Sequence, residues 1–282
     1  METIKDFNDY EILAMDNGYK YERWGNIYLK RPDPEIIWPD AVNNIKVDAQ
    51  YIRNSTGGGK WNIYSSIPEV WQVQYKDLVF NLKLMGFKHT GLFPEQAYNW
   101  DLIREKIRNT KRNVKVLNLF AYTGAASIAA LKEKAEVVHV DSSKGMIEWA
   151  KENVRSNHLE NGNIRFLVDD VRKFVKREVR RGNKYDIIIM DPPSFGRGSK
   201  NEVWQIEKDL YSLVADCALL LSDEPLLFII NSYTTGLSMT VLENILSKTI
   251  KYQGEISSTE LGIKAKNGLI LPCGITARWD NK

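Results

Sequence analysis

Cysteine and histidine are scarce in this chain of 282 residues, which has two cysteines and three histidines. The cysteines, Cys217 and Cys273, do not have the spacing of a metal-binding pair and form no disulfide framework. The histidines are also scattered, at His89, His139 and His158. The sequence therefore predicts neither a metal site nor stabilisation by disulfides.

Long hydrophobic runs are absent as well. The longest, around Ile187–Met190 and Leu226–Ile230, are far shorter than a membrane span. The segment Met1–Asp6 contains acidic residues and lacks the basic and then apolar pattern of a signal peptide. With 43% hydrophobic and 27% charged residues, the composition is typical of a globular protein. We expect a cytoplasmic location and no membrane partner.

The net charge of +3 is too small to indicate a nucleic-acid partner by itself. Two segments, however, are locally basic. One is Arg104–Lys115, and the other contains Arg172, Lys173, Lys176, Arg177, Arg180, Arg181 and Lys184. Such a run is able to follow phosphates, but a solvated helix face beside the sheet is the favoured interpretation.

Residues 1–88 have the pattern of a small β-rich domain. Tyr10–Met15 and Tyr19–Leu29 flank an Asn-Gly turn and predict a hairpin. A second turn at Thr56–Lys60 precedes Trp61–Tyr64, and Trp71–Tyr75 alternates as a half-buried strand does. Half of the eight tryptophans lie here, at Trp24, Trp38, Trp61 and Trp71. They favour the core of a small sheet, with an aromatic platform for nucleic acid as the alternative.

From residue 114 onward, strand and helix patterns alternate, which is typical of a parallel sheet covered by helices. The predicted strands are 114–119, 137–140, 164–168, 185–190 and 226–230. The predicted helices are 125–133, 144–157, 171–180, 203–221 and 239–250. Two last segments, Gly254–Leu261 and Leu269–Trp279, predict an antiparallel pair. The pattern fits one large α/β domain.

The most informative stretch is Asp191–Phe195, which follows the apolar run Tyr185–Met190. A continuous isoleucine run indicates a strand buried on both faces. Two prolines end the strand and stiffen the loop after it. An acid in such a loop lies where open α/β sheets bind ligands. The alternative is a strand terminator with a helix-capping acid.

Three other predicted strand ends carry similar residues. The first leads into Asn118–Ser127, where small side chains let a turn lie close to a ligand and open into a helix. The second ends in Asp141, which is placed to accept hydrogen bonds from ribose hydroxyls or to cap the next helix. The third ends in Asp169-Asp170, where a carboxylate can accept from an adenine amine or cap a helix. Together these features predict a nucleoside-binding edge.

Residues 114–195 resemble the class I S-adenosylmethionine-dependent methyltransferases. The segments Asn118–Gly124, Val140-Asp141 and Asp191-Pro192-Pro193 look like their first, second and fourth motifs. The resemblance extends over roughly residues 90–282, because the terminal antiparallel pair matches the reversed last strand of that fold. It implies a Rossmann-like, seven-stranded α/β sheet in residues 89–282, preceded by the β-rich domain.

Within this class, Gly86–Gln96 is similar to the segment that precedes the domain in large-subunit ribosomal RNA methyltransferases. Asp191–Phe195 and the loop Gly196–Lys200 are similar to that family too. The family includes cytosine-C5 and guanine-N7 enzymes. The resemblance therefore implies S-adenosylmethionine as cofactor and RNA, ribosomal RNA in particular, as partner.

The resemblance also implies roles for individual residues. Ala121–Gly124 would pack against the methionine part of the cofactor, Asp141 would hold its ribose, and Asp170 or Asp169 would read its adenine. Catalytic positions are implied at Asp191, Pro192 and Pro193, which would line and shape the methyl-transfer cleft. Cofactor contacts are implied at Phe93, Gln96, Asn118, Phe120, Ala121, Tyr122, Thr123, Gly124, Asp141, Ser142, Asp169, Asp170 and Asp191. Phe93 and Gln96 would close the site from the preceding segment.

One departure from the family bears on the reaction. Methylation at cytosine C5 needs a thiolate that adds to the ring. In related C5 enzymes a cysteine is expected just after the fifth strand, but Ile230–Gly236 contains none. Cys217 and Cys273 are interpreted as packing residues. Methylation of a nitrogen or an oxygen needs only an aligned lone pair and remains open, with a nitrogen as the leading hypothesis.

Alternatives remain at this stage. Ser194 stands where amino-methylating enzymes have an aromatic residue, so transfer to an exocyclic amine is not indicated. The substrate could instead be a small molecule or a protein. A catalytically silent RNA-binding protein with the same fold is a different class. A NAD-dependent oxidoreductase is disfavoured because the glycine-rich dinucleotide fingerprint is absent.

Overall fold

The computed structural model describes residues 1–42, 44–54, 58–197 and 203–281. The chain forms two compact units. The β-rich unit comprises Glu2–Tyr98 and Gly262–Cys273, and the α/β unit comprises Met1, Asn99–Leu261 and Gly274–Lys282. The boundary predicted between residues 88 and 89 stays a prediction.

The β-rich unit begins with strands β1 (Glu2–Thr3), β2 (Tyr10–Asp16), β3 (Tyr19–Trp24), β4 (Ile27–Pro32), β5 (Ala49–Arg53), β6 (Gly59–Ile63), β7 (Trp71–Tyr75) and β8 (Leu78–Leu82). Strands β2 to β6 form one sheet in chain order, and β7 pairs with β8. A 3₁₀ turn follows at Pro94–Gln96.

The hairpin of β2 and β3 confirms the predicted Asn-Gly turn. Both turn residues have positive φ, 44° at Asn17 and 84° at Gly18, as this turn type requires. The prediction of one strand over Tyr19–Leu29 is wrong. Gly25, with φ 62°, turns the chain and divides that segment into β3 and β4. Of the second predicted turn, Thr56 and Gly57 lie outside the described residues.

Aromatic side chains build the core of this unit, as the sequence favours. Trp24 and Trp71 are buried, and the Tyr10 ring packs on Trp24 with centroids 4.3 Å apart. The same core contains an ion pair. Glu22 accepts from the Arg31 guanidinium at 2.7 Å and from the Tyr10 hydroxyl at 2.6 Å. The Arg31 charge holds the pKa of Glu22 at about 2, against the effect of burial.

The α/β unit alternates strands and helices as predicted. The helices are α1 (Ala97–Asn109), α2 (Ala125–Lys132), α3 (Lys144–Ser156), α4 (Val171–Arg181), α5 (Ile206–Ala218) and α6 (Met239–Thr249). The strands are β9 (Lys115–Leu119), β10 (Glu136–Asp141), β11 (Ile164–Val168), β12 (Ile187–Met190), β13 (Phe195–Arg197), β14 (Val203–Gln205), β15 (Leu227–Ser232), β16 (Glu255–Lys264) and β17 (Ile270–Asp280). The end of β16 and the start of β17 fall within Gly262–Cys273, which is assigned to the β-rich unit.

The large sheet has eight strands, one more than predicted: β1 and seven of the strands just given, in the order β16-β17-β15-β12-β9-β10-β11. The five strands from β15 to β11 in that order run parallel, and β17 runs antiparallel to β15. This confirms the predicted Rossmann-like sheet with its reversed last strand. All four residues of β12 are buried, because helices cover both faces of a parallel sheet.

Helix α5 begins later than predicted. Val203–Gln205 pairs antiparallel with Phe195–Arg197 instead of starting the helix, so the predicted helix over 203–221 is wrong at its N-terminal end. Separately, no helix among the residues described is long and apolar enough to cross a membrane.

Candidate active site

The carboxyl ends of four neighbouring strands meet at one edge of the large sheet. Leu119 of β9 lies opposite Val140 of β10 and Met190 of β12. Asp141, the last residue of β10, lies opposite Val168, the last residue of β11. Neighbouring strands are about 4.8 Å apart. The segments that follow these ends therefore share one edge, and strand order reverses between β9 and β12, where open α/β sheets bind ligands.

The turn after β9 has an unusual backbone. Phe120 and Tyr122 have φ of 54° and 52°, a left-handed conformation that bulky side chains adopt only at an energetic cost. The N–H of Ala121 donates to the Val140 carbonyl at 3.0 Å. The N–H of Tyr122 donates to Oδ2 of Asp141 at 2.9 Å. Bonds to β10 thus hold the strained turn at the edge.

Gly124 ends this turn with φ 89°. A Cβ at this position would lie 3.1 Å from Cβ of Ala150 and 3.4 Å from Cε1 of His139. The missing side chain thus lets the turn pack against α3 and β10. This packing reason was not foreseen from the sequence, which suggested close approach to a ligand.

Asp141 is fixed through both of its carboxylate oxygens. Besides Tyr122, it accepts the N–H of Ser143 on Oδ1 at 2.8 Å. Burial raises the pKa of this carboxyl above its usual value. Ser143, whose hydroxyl accepts from Met146, is the cap of α3. The alternative that Asp141 caps that helix is therefore wrong. Each oxygen keeps a second lone pair for another donor, and exposed Ser142 follows directly.

The two acids after β11 both have partners on α4. Asp169 forms an ion pair with Arg177. Asp170 is the N-cap of α4 and accepts the N–H of Lys173 at 2.9 Å. The helix-capping alternative is confirmed for Asp170, and the adenine contact of either acid stays a prediction.

The loop after β12 is fastened on two sides. The Pro193 carbonyl accepts from the Trp204 indole at 2.5 Å, and the Trp204 ring lies 5.3 Å from Phe120 in the first turn. The Ser194 hydroxyl hydrogen-bonds the Thr234 hydroxyl at 2.6 Å. The loop is thus held between the turn after β9 and the segment after β15. Asp191 and Pro192 stand at its start, while Gly198, Ser199 and Lys200 lie outside the described residues.

A buried polar chain lies beneath the first turn. Asn118 is only 4% exposed, and its amide donates to the Ser127 hydroxyl at 2.9 Å. That hydroxyl also hydrogen-bonds Nδ1 of His139 at 2.9 Å. Burial lowers the pKa of His139 to about 3, so the ring is neutral. The predicted contact of Asn118 with the cofactor stays a prediction.

Sequence reasoning missed several of these supporting residues. Ser127 and His139 were not selected, and neither was Asn153, whose amide donates to the Thr123 carbonyl at 2.9 Å. A signal was present for His139, which interrupts an apolar strand. A polar residue within a buried strand indicates a hydrogen-bonded partner nearby.

Phe93 and Gln96 belong to the β-rich unit. The Phe93 ring lies 5.3 Å from the ring of His89, and the Phe93 carbonyl accepts the N–H of Gln96 at 3.1 Å. Gln96 is buried at the end of the 3₁₀ turn. Their predicted closure of the cofactor site stays a prediction.

Neither cysteine is a reactive thiolate. Cys217 is fully buried in α5, and burial raises the pKa of its thiol. Burial also raises the pKa of Cys273, in β17. Both residues are therefore thiols at neutral pH, as expected for packing residues.

Comparisons with known proteins agree with this geometry. The model of a family of S-adenosylmethionine-dependent methyltransferases matches residues 44–250. Ribosomal RNA large subunit methyltransferase K/L of Colwellia psychrerythraea is 28% identical over 192 residues, which are 66% of this chain and 26% of that protein. Ribosomal RNA large subunit methyltransferase K of Neisseria meningitidis is 29% identical over 171 residues, 60% of this chain and 46% of that protein. The chain thus spans less than half the length of either relative.

A solved structure is similar over nearly the whole chain. It is the SAM-dependent methyltransferase from Agrobacterium tumefaciens, with a TM-score of 0.94 and 34% sequence identity. The similarity covers 99% of this chain and 93% of that one.

Proposed function

The chain belongs to the S-adenosylmethionine-dependent methyltransferases, and from this premise we propose that it methylates a nitrogen of ribosomal RNA without a covalent cysteine adduct. The names of the relatives support the RNA substrate. The state of the cysteines supports a nitrogen as the acceptor atom in place of a pyrimidine ring carbon. Methylation of such a carbon needs a thiolate that adds to the ring. This observation carries the proposal, since Cys217 is buried, Cys273 is half-buried, and burial raises the pKa of both thiols.

The residues at the sheet edge fit the cofactor chemically. Asp141 presents a carboxylate that two backbone N–H groups hold in one orientation, and its remaining lone pairs suit the two hydroxyls of a ribose. We assign the turn Ala121–Gly124 to the methionine part and Asp170, or else Asp169, to the adenine amine. S-adenosylmethionine supplies a methyl group on a positively charged sulfur, ready for attack by a lone pair.

The loop Asp191-Pro192-Pro193 is the proposed acceptor side of the cleft. Proline has no N–H and a fixed φ, so this segment is stiff and offers hydrogen-bond acceptors in place of donors. The Asp191 carboxylate is assigned to accept a hydrogen bond from the substrate base and to orient its nitrogen. Fastening by Trp204 and Thr234 limits motion of the loop. Alignment of this kind is able to supply much of the acceleration of a methyl transfer.

Mass spectrometry of ribosomal RNA tests this function. RNA from cells that lack the gene should miss one methyl group, and a plasmid copy of the wild-type gene should restore it. The Asp191→Ala variant should restore it poorly. An unchanged methylation pattern in the deletion strain would contradict the proposal.

A second measurement separates the alternatives. The purified protein is incubated with radiolabelled S-adenosylmethionine and either large-subunit RNA from the deletion strain or its RNA-free extract. Label should enter the RNA. Label in small molecules or protein would favour those substrates, and RNA binding without transfer would indicate a silent binding protein.

A further inference from the structure

We propose that the outer face of α4 binds the phosphate backbone of the RNA substrate. This α4 basic face consists of Lys173, Lys176 and Arg180, all of which are exposed. The inference rests on the proposed RNA substrate and adds to it the surface that holds nucleotides next to the methylated one.

The charge of the chain is concentrated at this helix. Residues 171–184 contain seven basic residues and one acidic residue, a net charge of +6. The whole chain has a net charge of +3, so the remaining residues together carry −3. The net charge of this one segment is thus larger than the net charge of the whole chain. Such a local patch is the electrostatic signature of a polyanion site.

The helix geometry places these charges on one side. Val171, Phe174, Val175 and Glu178 form the buried side of α4. Lys173, Lys176 and Arg180 are exposed and follow at intervals of three and four residues, which aligns them along the opposite side. The result is a straight basic stripe.

The one acidic residue of α4 points away from this stripe. Glu178 is fully buried and accepts from the Tyr185 hydroxyl and the Asn183 amide, each at 2.7 Å. An ordinary solvated helix face intersperses acids with bases at this spacing, since like charges three or four residues apart repel. Lys176 and Arg180, four residues apart, therefore repel each other, and a phosphate chain would relieve this repulsion.

Neighbouring acids neutralise only some of these residues. Arg172 pairs with Asp209 at 3.1 Å, Arg181 pairs with Glu178 at 3.0 Å, and Arg177 pairs with Asp169. Within the described part of the chain, Lys176 and Arg180 have no carboxylate within ion-pair distance. These two cations are therefore the best placed to meet a phosphate.

The position of α4 connects this face to the active site. The helix starts at Val171, directly after the acids at the carboxyl end of β11, and extends about 16 Å from there at 1.5 Å per residue. β11 and β12 are separated by two strands, a span of about 14 Å across the sheet. An RNA strand whose target nucleobase lies at Asp191 would therefore reach the start of α4 within a few nucleotides.

The double variant Lys176→Gln with Arg180→Gln tests the proposal. Its matched control is Lys248→Gln with Lys251→Gln, two exposed lysines at the end of α6. Fluorescence anisotropy with a labelled single-stranded RNA of 30 nucleotides measures binding between 50 and 300 mM salt. Each lost phosphate contact lowers the slope of log K against log salt by about 0.7. The double variant should bind several-fold more weakly with a slope smaller by about 1.4, while the control matches wild type.

Two further readouts complete the test. Affinity for S-adenosylmethionine by calorimetry should be unchanged in both variants, which shows that the fold and the cofactor site are intact. The KM for deletion-strain ribosomal RNA should rise only in the α4 variant. Equal KM and salt slope in both variants would overturn the α4 assignment alone. Wild-type protein that neither binds nor methylates RNA would instead overturn the proposed function.

Discussion

The backbone N–H of Tyr122 donates to the carboxylate of Asp141 across 2.9 Å, and this bond ties the turn after β9 to the end of β10. The same carboxylate accepts from Ser143, so it organises two loops at once. The residue assigned to the ribose therefore also shapes the turn assigned to the methionine part. Loss of this carboxylate would affect both ends of the cofactor.

Replacement of this carboxylate should weaken cofactor binding. We predict that Asp141→Ala lowers the affinity for S-adenosylmethionine by about 10- to 100-fold, because charge-assisted hydrogen bonds contribute about 1.5–3 kcal/mol. Asp141→Asn, which keeps one acceptor oxygen, should lose less. Calorimetry measures both affinities, with Glu148→Gln on the exposed face of α3 as control. Unchanged affinity in a folded Asp141→Ala protein would refute the ribose assignment.

The Ser127 hydroxyl should contribute strongly to the free energy of unfolding, because it is the shared hydrogen-bond partner of two buried side chains. Its removal in Ser127→Ala leaves the Asn118 amide and Nδ1 of His139 without their shared partner. A buried polar group without a partner costs about 1–3 kcal/mol. Urea denaturation should show a loss of this size, against almost none for Ser247→Ala, an exposed position on α6. Equal stability of the two variants would show that the hydrogen bonds of Ser127 to Asn118 and His139 do not stabilise the fold.

Acid should destabilise the protein partly through its buried histidines. The pKa of His139 is lowered to about 3 by burial, whereas in the unfolded chain it is near 6.5. As pH falls below 6.5 the unfolded state takes up a proton that the folded state does not, so stability falls by up to about 1.4 kcal/mol per pH unit. His89 behaves alike, with its pKa also lowered to about 3.

Comparison of His139→Asn with wild type isolates the contribution of this ring. The variant should be less stable at pH 7.5 but should lose less stability between pH 6.5 and 5. Urea unfolding at each pH gives both slopes. Identical slopes would mean that His139 does not titrate on unfolding.

The cysteines should be dispensable for methyl transfer. Cys217→Ala and Cys273→Ala are predicted to keep kcat within about twofold of wild type, because alignment of a lone pair needs no covalent adduct. Transfer of labelled methyl groups to RNA measures this, with circular dichroism to confirm folding. Loss of transfer in a folded variant would revive a covalent mechanism.

Strands and helices with strong periodicity were predictable, because burial imposes its pattern directly on the sequence. Ile187–Met190 is an example, since a strand covered on both faces admits only apolar side chains. The start of α5 was not predictable. Val203–Gln205 pairs with Phe195–Arg197, and such pairing depends on a segment several residues away that local pattern does not reveal.

The positions of acids at strand ends were predictable, whereas their contacts were less so. Acids after strands were identified correctly, yet Asp170 serves a helix cap that the same residue type also favours. The hydrogen bond between Ser127 and His139 joins a helix to a strand and depends on their packing. Partners of that kind follow from the tertiary fold.

The left-handed conformation of Phe120 and Tyr122 has a consequence for the cofactor recognition proposed for this turn. Backbone hydrogen bonds donated to β10 by Ala121 and Tyr122 hold the turn in this form. The entropy of ordering this turn is thus lost once, when the chain folds, and is not lost again at each turnover. A methyltransferase that must exchange its spent cofactor after every reaction gains from a rigid receptor, since each exchange then leaves the turn unchanged.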